Sequence, residues 1–170
     1  MSNEKRIVLT GFMGVGKSTV AKCLAYILQC EKLDLDRFIE ERERRSVVEI
    51  IESDGEARFR AIETEGLREI LEETGARVIA LGGGSWISPE NRELIKAHNC
   101  LSIWLESTFE HCWRNISCSK QARPLAKNKK LAEELFDERQ KIYCLADWHF
   151  IVEPQLTSFD IAKRIAEEIF

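Results

Sequence analysis

A short apolar run, Arg6-Ile7-Val8-Leu9-Thr10, leads directly into Gly11-Phe12-Met13-Gly14-Val15-Gly16-Lys17-Ser18-Thr19. The second stretch satisfies G-x-x-x-x-G-K-[ST]. Beyond it, Val20, Cys23, Leu24, Ile27 and Leu28 recur at i, i+3, i+4, i+7 and i+8, which is one face of a helix. The start of the chain is therefore committed to a strand, a glycine loop and a helix, the context this pattern needs to bind phosphate. Glycines let backbone N–H groups turn inward and approach phosphate oxygens closely. A helix starting near Lys17 points the positive end of its dipole at the same anion. Lys17 can bridge the β- and γ-phosphates of a nucleotide, and the Ser18 hydroxyl can ligate Mg²⁺. The bland alternative, a glycine-rich turn that binds nothing, fits poorly with the flanking strand and helix. What receives the phosphate is not written in the loop.

A length of 170 residues favours one domain with a substantial core. A formal charge of −4 argues against a basic nucleic-acid-binding surface. No apolar run approaches the ~20 residues needed to span a membrane. Residues 1–6 enter the first strand at once and leave no room for a signal peptide, so the chain is expected to be cytoplasmic. The six cysteines form no C-x-x-C pair and read mostly as buried reduced thiols. His98, His111 and His149 are scattered and read as structural or surface residues.

Strand-like and helix-like segments alternate, which points to an α/β fold with a parallel sheet. Strands are expected at 5–10, 31–35, 77–81, 100–105 and 149–152. Helices are expected at 17–28, 37–45, 47–53, 56–73, 89–97, 108–116, 128–145 and 158–169. Ser88-Pro89 reads as an N-cap before a proline at the first helical position, and Ser107-Thr108-Phe109-Glu110 fits a capping box. The charged run 37–45 reads as a solvated helix face carrying i,i+4 pairs.

Several constellations carry chemistry. The second strand ends in Leu33-Asp34-Leu35-Asp36, where ligands of open parallel sheets gather. One carboxylate can help hold hydrated Mg²⁺ and the other can accept a proton from an attacking hydroxyl. Alternation along a strand allows one of them to face solvent instead. Arg60 and Glu63 share a helix face and, in isolation, read as a surface ion pair. Gly82-Gly83-Gly84 ends the third strand and is either a close approach to a ligand or a flexible turn. From Arg114 to Lys130 there are six cations and no acids, a composition suited either to a lid closing over polyphosphate or to a solvated loop. Arg123-Pro124 sets an arginine before a rigid turn, where it suits a transferring phosphoryl group. Arg139 and Tyr143 lie four apart on a helix.

In order and spacing, the glycine loop, Asp34-Leu35-Asp36, Phe59-Arg60-Ala61-Ile62-Glu63, Leu81-Gly82-Gly83-Gly84, Arg123-Pro124-Leu125, and Arg139 with Tyr143 resemble the shikimate kinase family. The resemblance runs from the loop to about Tyr143 and more loosely beyond. It implies a P-loop fold of the nucleoside monophosphate kinase type, a five-stranded parallel sheet flanked by helices with a mobile lid. One domain, 1–170, would carry a substrate-binding segment at about 34–63 and a lid at about 114–127. It further implies ATP- and Mg²⁺-dependent phosphorylation of the 3-hydroxyl of shikimate, in aromatic amino-acid biosynthesis. The partners implied are shikimate and ATP, with no nucleic acid or membrane, and the chain is expected to act as a monomer.

Residue by residue, the resemblance implies that Asp36 holds the sugar-like hydroxyls and is the candidate base. Arg60 and Arg139 hold the carboxylate, Glu63 steadies the site, and Gly83 contacts substrate through its backbone between Gly82 and Gly84. Asp34 joins Ser18 at the metal. Gly14, Val15, Gly16, Lys17, Ser18 and Thr19 hold the nucleotide together with Arg123. Arg114 is the first choice to stack on adenine, with Pro154 in a C-terminal adenine loop. The departures are Ser85-Trp86 after the glycines, Ala126 where leucine is frequent, and a longer segment between Arg114 and Arg123. Two other readings compete: another small-molecule kinase of this fold, such as a gluconate kinase, and a catalytically silent nucleotide-binding module. Neither accounts for Lys17, Asp36, the lid arginine and two arginines converging on a carboxylate together.

Overall fold

Strand β1 (Ile7–Thr10) is buried along its length and forms the centre of a five-stranded sheet in the computed structural model, which describes residues 5–120, 123 and 126–169. The order is β2 (Lys32–Asp34), β3 (Val78–Ala80), β1, β4 (Leu101–Glu106) and β5 (Trp148–Ile151). Every neighbouring pair is parallel. Parallel neighbours cannot be joined by hairpins, so helices carry the crossovers. These are α1 (Lys17–Ile27), α2 (Leu35–Glu43), α3 (Val47–Asp54), α4 (Glu56–Glu73), α5 (Pro89–Ala97), α6 (Phe109–Cys118), α7 (Lys129–Tyr143) and α8 (Ser158–Ile169), with a 3₁₀ turn at Ser85–Ile87.

The core follows from the apolar periods. Ile7, Val8 and Leu9 of β1 and Val78 and Ile79 of β3 are fully buried, as expected of strands covered on both faces. Helices α1 and α8 pack together, and Val20, Leu24, Ile161 and Ile165 are sealed from solvent. Each such side chain contributes about 1.5–3 kcal/mol relative to exposure. The Arg6 side chain closes the opposite end of the sheet. It donates to Leu71 O in the last turn of α4 and to Ala76 O in the segment after it, both at 2.8 Å.

The chain moves to one side of β1 for β2 and β3, then to the other for β4 and β5. The segments leaving the carboxyl ends of β1, β2 and β3 therefore face one crevice, where open parallel sheets bind ligands.

The elements match the expected ones in type and order, with instructive differences. Helix α2 begins at Leu35, so Asp36 lies in its first turn and not at the end of a strand. Asp34 is the N-cap, its carboxylate accepting from Arg37 N at 3.3 Å. Positions two apart share one face of a strand, and here a cap and a first helical turn set the two carboxylates instead, so the expectation that strand alternation turns one to solvent fails. Ser88 caps α5 with Pro89 in its first turn, as expected. At α6 the cap is Thr108, whose hydroxyl accepts from His111 N at 3.2 Å, so no capping box forms from Ser107. A true box forms instead at Ser46, which accepts from Glu49 N at 3.1 Å while its own N–H donates to Glu49 Oε2 at 2.7 Å.

Helix α6 runs on to Cys118, so Arg114 and Ser117 belong to a helix and not to the basic loop expected there. Gln121, Ala122, Pro124 and Leu125 of the expected lid lie outside the described residues, as do residues 1–4. In the charged run, Arg42 pairs across to Glu69 (3.3 Å) and Glu65 (3.5 Å) of α4, in place of the i,i+4 pairs expected within the run. Of the cysteines, Cys100 and Cys112 are buried, Cys23 and Cys30 partly so, and Cys118 and Cys144 exposed, so fewer are buried than expected.

Candidate active site

The loop between β1 and α1 is built as the glycine pattern requires. Gly14 (φ 82°) and Gly16 (φ 105°) are left-handed, a region that disfavours side chains. A Cβ on Gly14 would also lie 2.5 Å from the Cys112 carbonyl oxygen of α6. The loop is held from that helix as well, because Asn115 Nδ2 donates to Gly14 O at 2.7 Å. Lys17, in the first turn of α1, is buried and folds back to donate to Gly11 O (2.7 Å) and Phe12 O (3.0 Å). Burial, then the charge of Arg123, pull its pKa down to about 8 against the opposing pull of Asp36. A cavity of about 700 Å³ opens beside it, with Gly14, Val15, Gly16, Lys17, Ser18 and Thr19 on its wall.

A second cavity of about 530 Å³ adjoins the first, and the two share Met13, Asp36, Glu40, Gly82, Gly83 and Arg123. Asp36 thus stands at their junction. Burial, Glu63 and Asp34, in that order, push its pKa up to about 7, while Lys17 opposes them. Arg123 stands there too, with its buried Nε making no hydrogen bond. Burial holds its pKa below the usual arginine value, against the pull of Asp36.

The far wall of the second cavity is formed by α4 and α7. Glu63, 1% exposed, accepts from Arg60 Nη1 at 2.8 Å. Burial works against the Arg60 charge, but Glu63 and Glu56 outweigh it and raise the pKa. What reads in isolation as a surface ion pair is thus anchored in the core. Arg139 is 7% exposed, and its buried Nη1 has no hydrogen-bond partner. An uncompensated buried guanidinium N–H is costly, and it marks where an anion would be welcomed.

Helix α7 is fixed by the residues after the glycines. Trp86 Nε1 donates to Ile142 O at 3.0 Å, and the buried Tyr143 hydroxyl donates to Gly83 O. Burial pushes that phenol up to about 12, so it stays a donor at neutral pH. Trp86 is thus a bracket between the turn and the end of the helix that carries Arg139.

The three glycines line the second cavity, and the structure gives a further reason for them. None of them has the left-handed φ that would demand glycine. Instead, the space a side chain would fill is already occupied. A Cβ on Gly82 would lie 2.7 Å from Asp36 Oδ1, and one on Gly84 within 2.3–2.6 Å of the Arg60 guanidinium. A Cβ on Gly83 would lie 3.3 Å from Met13 N and would touch Arg139 Nη1 at 3.4 Å. The turn is stripped of side chains where the Asp36 carboxylate and the Arg60 guanidinium close over it.

Ser18 Oγ donates to Asp34 Oδ2 at the mouth of the loop. One hydroxyl and one carboxylate side by side form an oxygen donor set that suits a Mg²⁺ ion keeping most of its waters. Among the described residues there is no cluster of three or more His, Cys, Asp or Glu that could hold a metal by itself. Nor is any helix long and apolar enough to cross a membrane.

Arg114 is exposed and does not line the cavity beside Lys17, whereas His111, Asn115 and Ser119 of the same helical stretch do. Positions 111 and 115 are one turn apart and share a face, with Arg114 at its edge, three residues after His111. Pro154 is likewise absent from that wall, which is formed by Val152, Leu156, Thr157, Ser158 and Ile161. The i,i+4 spacing of His111 and Asn115, counted from the Thr108 cap, was the available signal for them.

Residues 13–170 match the family model described as shikimate kinase. The chain is 33% identical over 170 aligned positions to a shikimate kinase of Geobacillus kaustophilus, covering 98% of this chain and 89% of that one. It is 34% identical over 165 positions to a shikimate kinase of Brucella canis, covering 95% and 81%. A solved shikimate kinase from Acinetobacter baumannii in complex with shikimate superposes with a TM-score of 0.90 at 30% identity, over 98% of this chain and 93% of that one. A deoxyadenosine kinase from M. mycoides, at 16% identity and a TM-score of 0.68, shares the fold. By sequence and by fold, the chain belongs to the shikimate kinase family.

Proposed function

We propose that this protein transfers the γ-phosphoryl group of ATP to the 3-hydroxyl of shikimate. The observation that carries the reading is the buried, unpaired Nη1 of Arg139, whose side chain lines the same cavity as Arg60, a cavity that meets the glycine-loop cavity at Asp36. Shikimate is a small ring with one carboxylate and three hydroxyls. Two guanidinium forks clamp the carboxylate through charge-assisted bonds and thereby choose which hydroxyl faces the phosphate.

The glycine loop and the N-terminus of α1 hold the ATP phosphates. Lys17 leaves its loop carbonyls for the phosphoryl oxygens, where its charge meets the charge that spreads over them during transfer. Arg123 supplies a second cation from the junction of the cavities. Asp36 orients the acceptor hydroxyl and takes its proton, a task suited to a carboxylate whose pKa is drawn up to about 7. Glu63 holds Arg60. Ser18 and Asp34 would hold Mg²⁺, which when bound neutralises phosphate charge. Because phosphoryl transfer depends mainly on positioning and charge stabilisation, these groups suffice for the reaction. The division into a substrate-binding segment at about 34–63 and a lid at about 114–127 belongs to the same proposal. It is supported by the α2 to α4 residues that line the second cavity and by Arg123 at its border.

The test is ADP release coupled to a chromogenic assay with shikimate, with gluconate and with no acceptor. Release that depends on shikimate alone is expected. Equal release on gluconate, or none above the acceptor-free rate, would overturn the assignment.

A further inference from the structure

Behind Glu63 lies a run of buried polar groups that touches neither cavity's nucleotide end. Ser85, the first residue of the 3₁₀ turn, is fully buried, and its hydroxyl donates to Glu63 Oε2 at 2.6 Å. The other carboxylate oxygen, Oε1, accepts from Arg60 at 2.8 Å. Ser85 is held in turn, because Asn91 Nδ2 of α5 donates to its carbonyl at 2.9 Å. Asn91, also fully buried, accepts from Thr64 Oγ1 of α4 at 2.7 Å. The chain of bonds therefore begins and ends on α4, passing through α5 and the glycine turn.

We infer that Ser85 is a positioning residue for the acceptor's carboxylate, acting through Glu63 on Arg60. The inference rests on the carboxylate clamp proposed above. A buried carboxylate held through one oxygen can rotate about its last bond, and the guanidinium it holds rotates with it. With both oxygens engaged, one by a neutral donor and one by the arginine, that rotation is blocked. The tolerance is small. The Arg60 guanidinium lies where a Gly84 Cβ would come within 2.3 Å, and the space over Gly82 is bounded by Glu63 Oε2 and Ser85 Oγ, each 3.3 Å from a Cβ placed there. Asn91 fixes the turn that carries Ser85, so the glycine backbone and the Arg60 fork are set by one network. Removing the Ser85 hydroxyl leaves an acceptor of Glu63 unpaired, so the fork is held by a carboxylate free to turn and by the exposed Glu56 at 3.4 Å. Misplacement of a bidentate partner weakens recognition of the anion and has no reason to change the nucleotide side.

A merely structural serine would lower thermal stability and leave substrate discrimination alone, so discrimination is the readout. kcat/KM is measured for shikimate and for its uncharged methyl ester in wild type, Ser85→Ala, Ser85→Cys and Arg60→Ala. For Ser85→Ala we expect about tenfold loss on the acid, the scale of one hydrogen bond to a charged group, with the ester and the KM for ATP within about twofold of wild type. Ser85→Cys fills the same space with a weaker donor and should fall between. If the alanine variant fails to fold, the cysteine variant decides. Should Arg60→Ala lower the acid selectively while both Ser85 variants keep the wild-type acid-to-ester ratio, the positioning role is overturned and the clamp stands. Should Arg60→Ala harm acid and ester alike, the clamp itself falls and the role of Ser85 with it.

Discussion

Replacing Asp36 by asparagine is expected to make the protein more stable and nearly inactive, and the size of the first effect follows from the site. In the folded chain Asp36 holds its proton up to about pH 7, whereas its ordinary value is 3.8. Between those values the folded state binds more protons than the unfolded one, so stability falls as pH rises through the window. At about 1.36 kcal/mol per pKa unit, the whole difference is about 4 kcal/mol once pH exceeds 7. Asp36 nevertheless borders two open cavities and is not sealed from water, which screens part of the repulsion from Glu63 and Asp34. We therefore expect about half, about 2 kcal/mol, to be recovered by the neutral isostere at pH 8.

The assay is equilibrium unfolding in urea of wild type and Asp36→Asn at pH 4.5 and pH 8, read as a midpoint shift at constant slope. At pH 8 the variant should be about 2 kcal/mol more stable, and at pH 4.5 the gain should shrink well below about 1 kcal/mol, because the folded wild type is protonated there. Phosphoryl transfer should fall by about 10²-fold or more. A gain of the same size at both pH values would show that the effect is packing and not charge. A variant less stable than wild type at pH 8 would refute the placement of Asp36 in a cluster that disfavours its ionised form.

Other perturbations have signs set by the same geometry. In the free enzyme, kcat/KM should rise through about pH 7 as Asp36 loses its proton and decline above about pH 8 as Lys17 loses its charge; a flat profile from pH 6 to 9 would contradict both roles. Lys17→Ala should cost about 10²-fold or more in kcat with unchanged far-UV circular dichroism, and retention of a tenth of kcat would exclude its role at the phosphoryl group. Arg139→Lys keeps the charge but loses the planar fork; we expect about 2–5 kcal/mol lost in kcat/KM for shikimate and little on the methyl ester, and equal losses would place Arg139 outside the clamp. Gly84→Ala brings a methyl group into the Arg60 guanidinium, so the KM for shikimate should rise about tenfold or more while the KM for ATP stays put, which steady-state kinetics with either substrate varied will show.

How much of this could be read from the chain depends on whether a feature is made by neighbours in sequence or by neighbours in space. The phosphate loop is contiguous: Gly14, Gly16, Lys17 and Ser18 state their roles by type and spacing, and the strand and helix around them appear where the apolar periods put them. The five strands and their order of types were legible for the same reason, because burial on both faces imposes local composition. Asp36 was legible as a residue but not as a conformation. Capping by Asp34 draws Leu35 and Asp36 into a helix, and a cap competes with one more strand residue by a margin too small to read from a single sequence.

The clamp belongs to the second kind. Nothing between 56 and 63 says that Glu63 is 1% exposed, because its burial is imposed by Ser85 and the turn from β3. The triple glycine is clearer still. Its positions are emptied by Asp36 from α2 and Arg60 from α4, with Arg139 from α7 packed beside them, groups spread over more than a hundred residues of the chain that meet only after the sheet has formed. The α6 side of the cleft follows the same logic, since the rotation of that helix against the loop, held by Asn115 at Gly14, decides which of its residues line the cavity. The site residues whose proposed purpose is written locally are thus the ones of the glycine loop. Those proposed to choose the acceptor show themselves as the side chains around which other elements have been cleared, and the buried donor left unpaired on Arg139 is the feature on which that proposal stands.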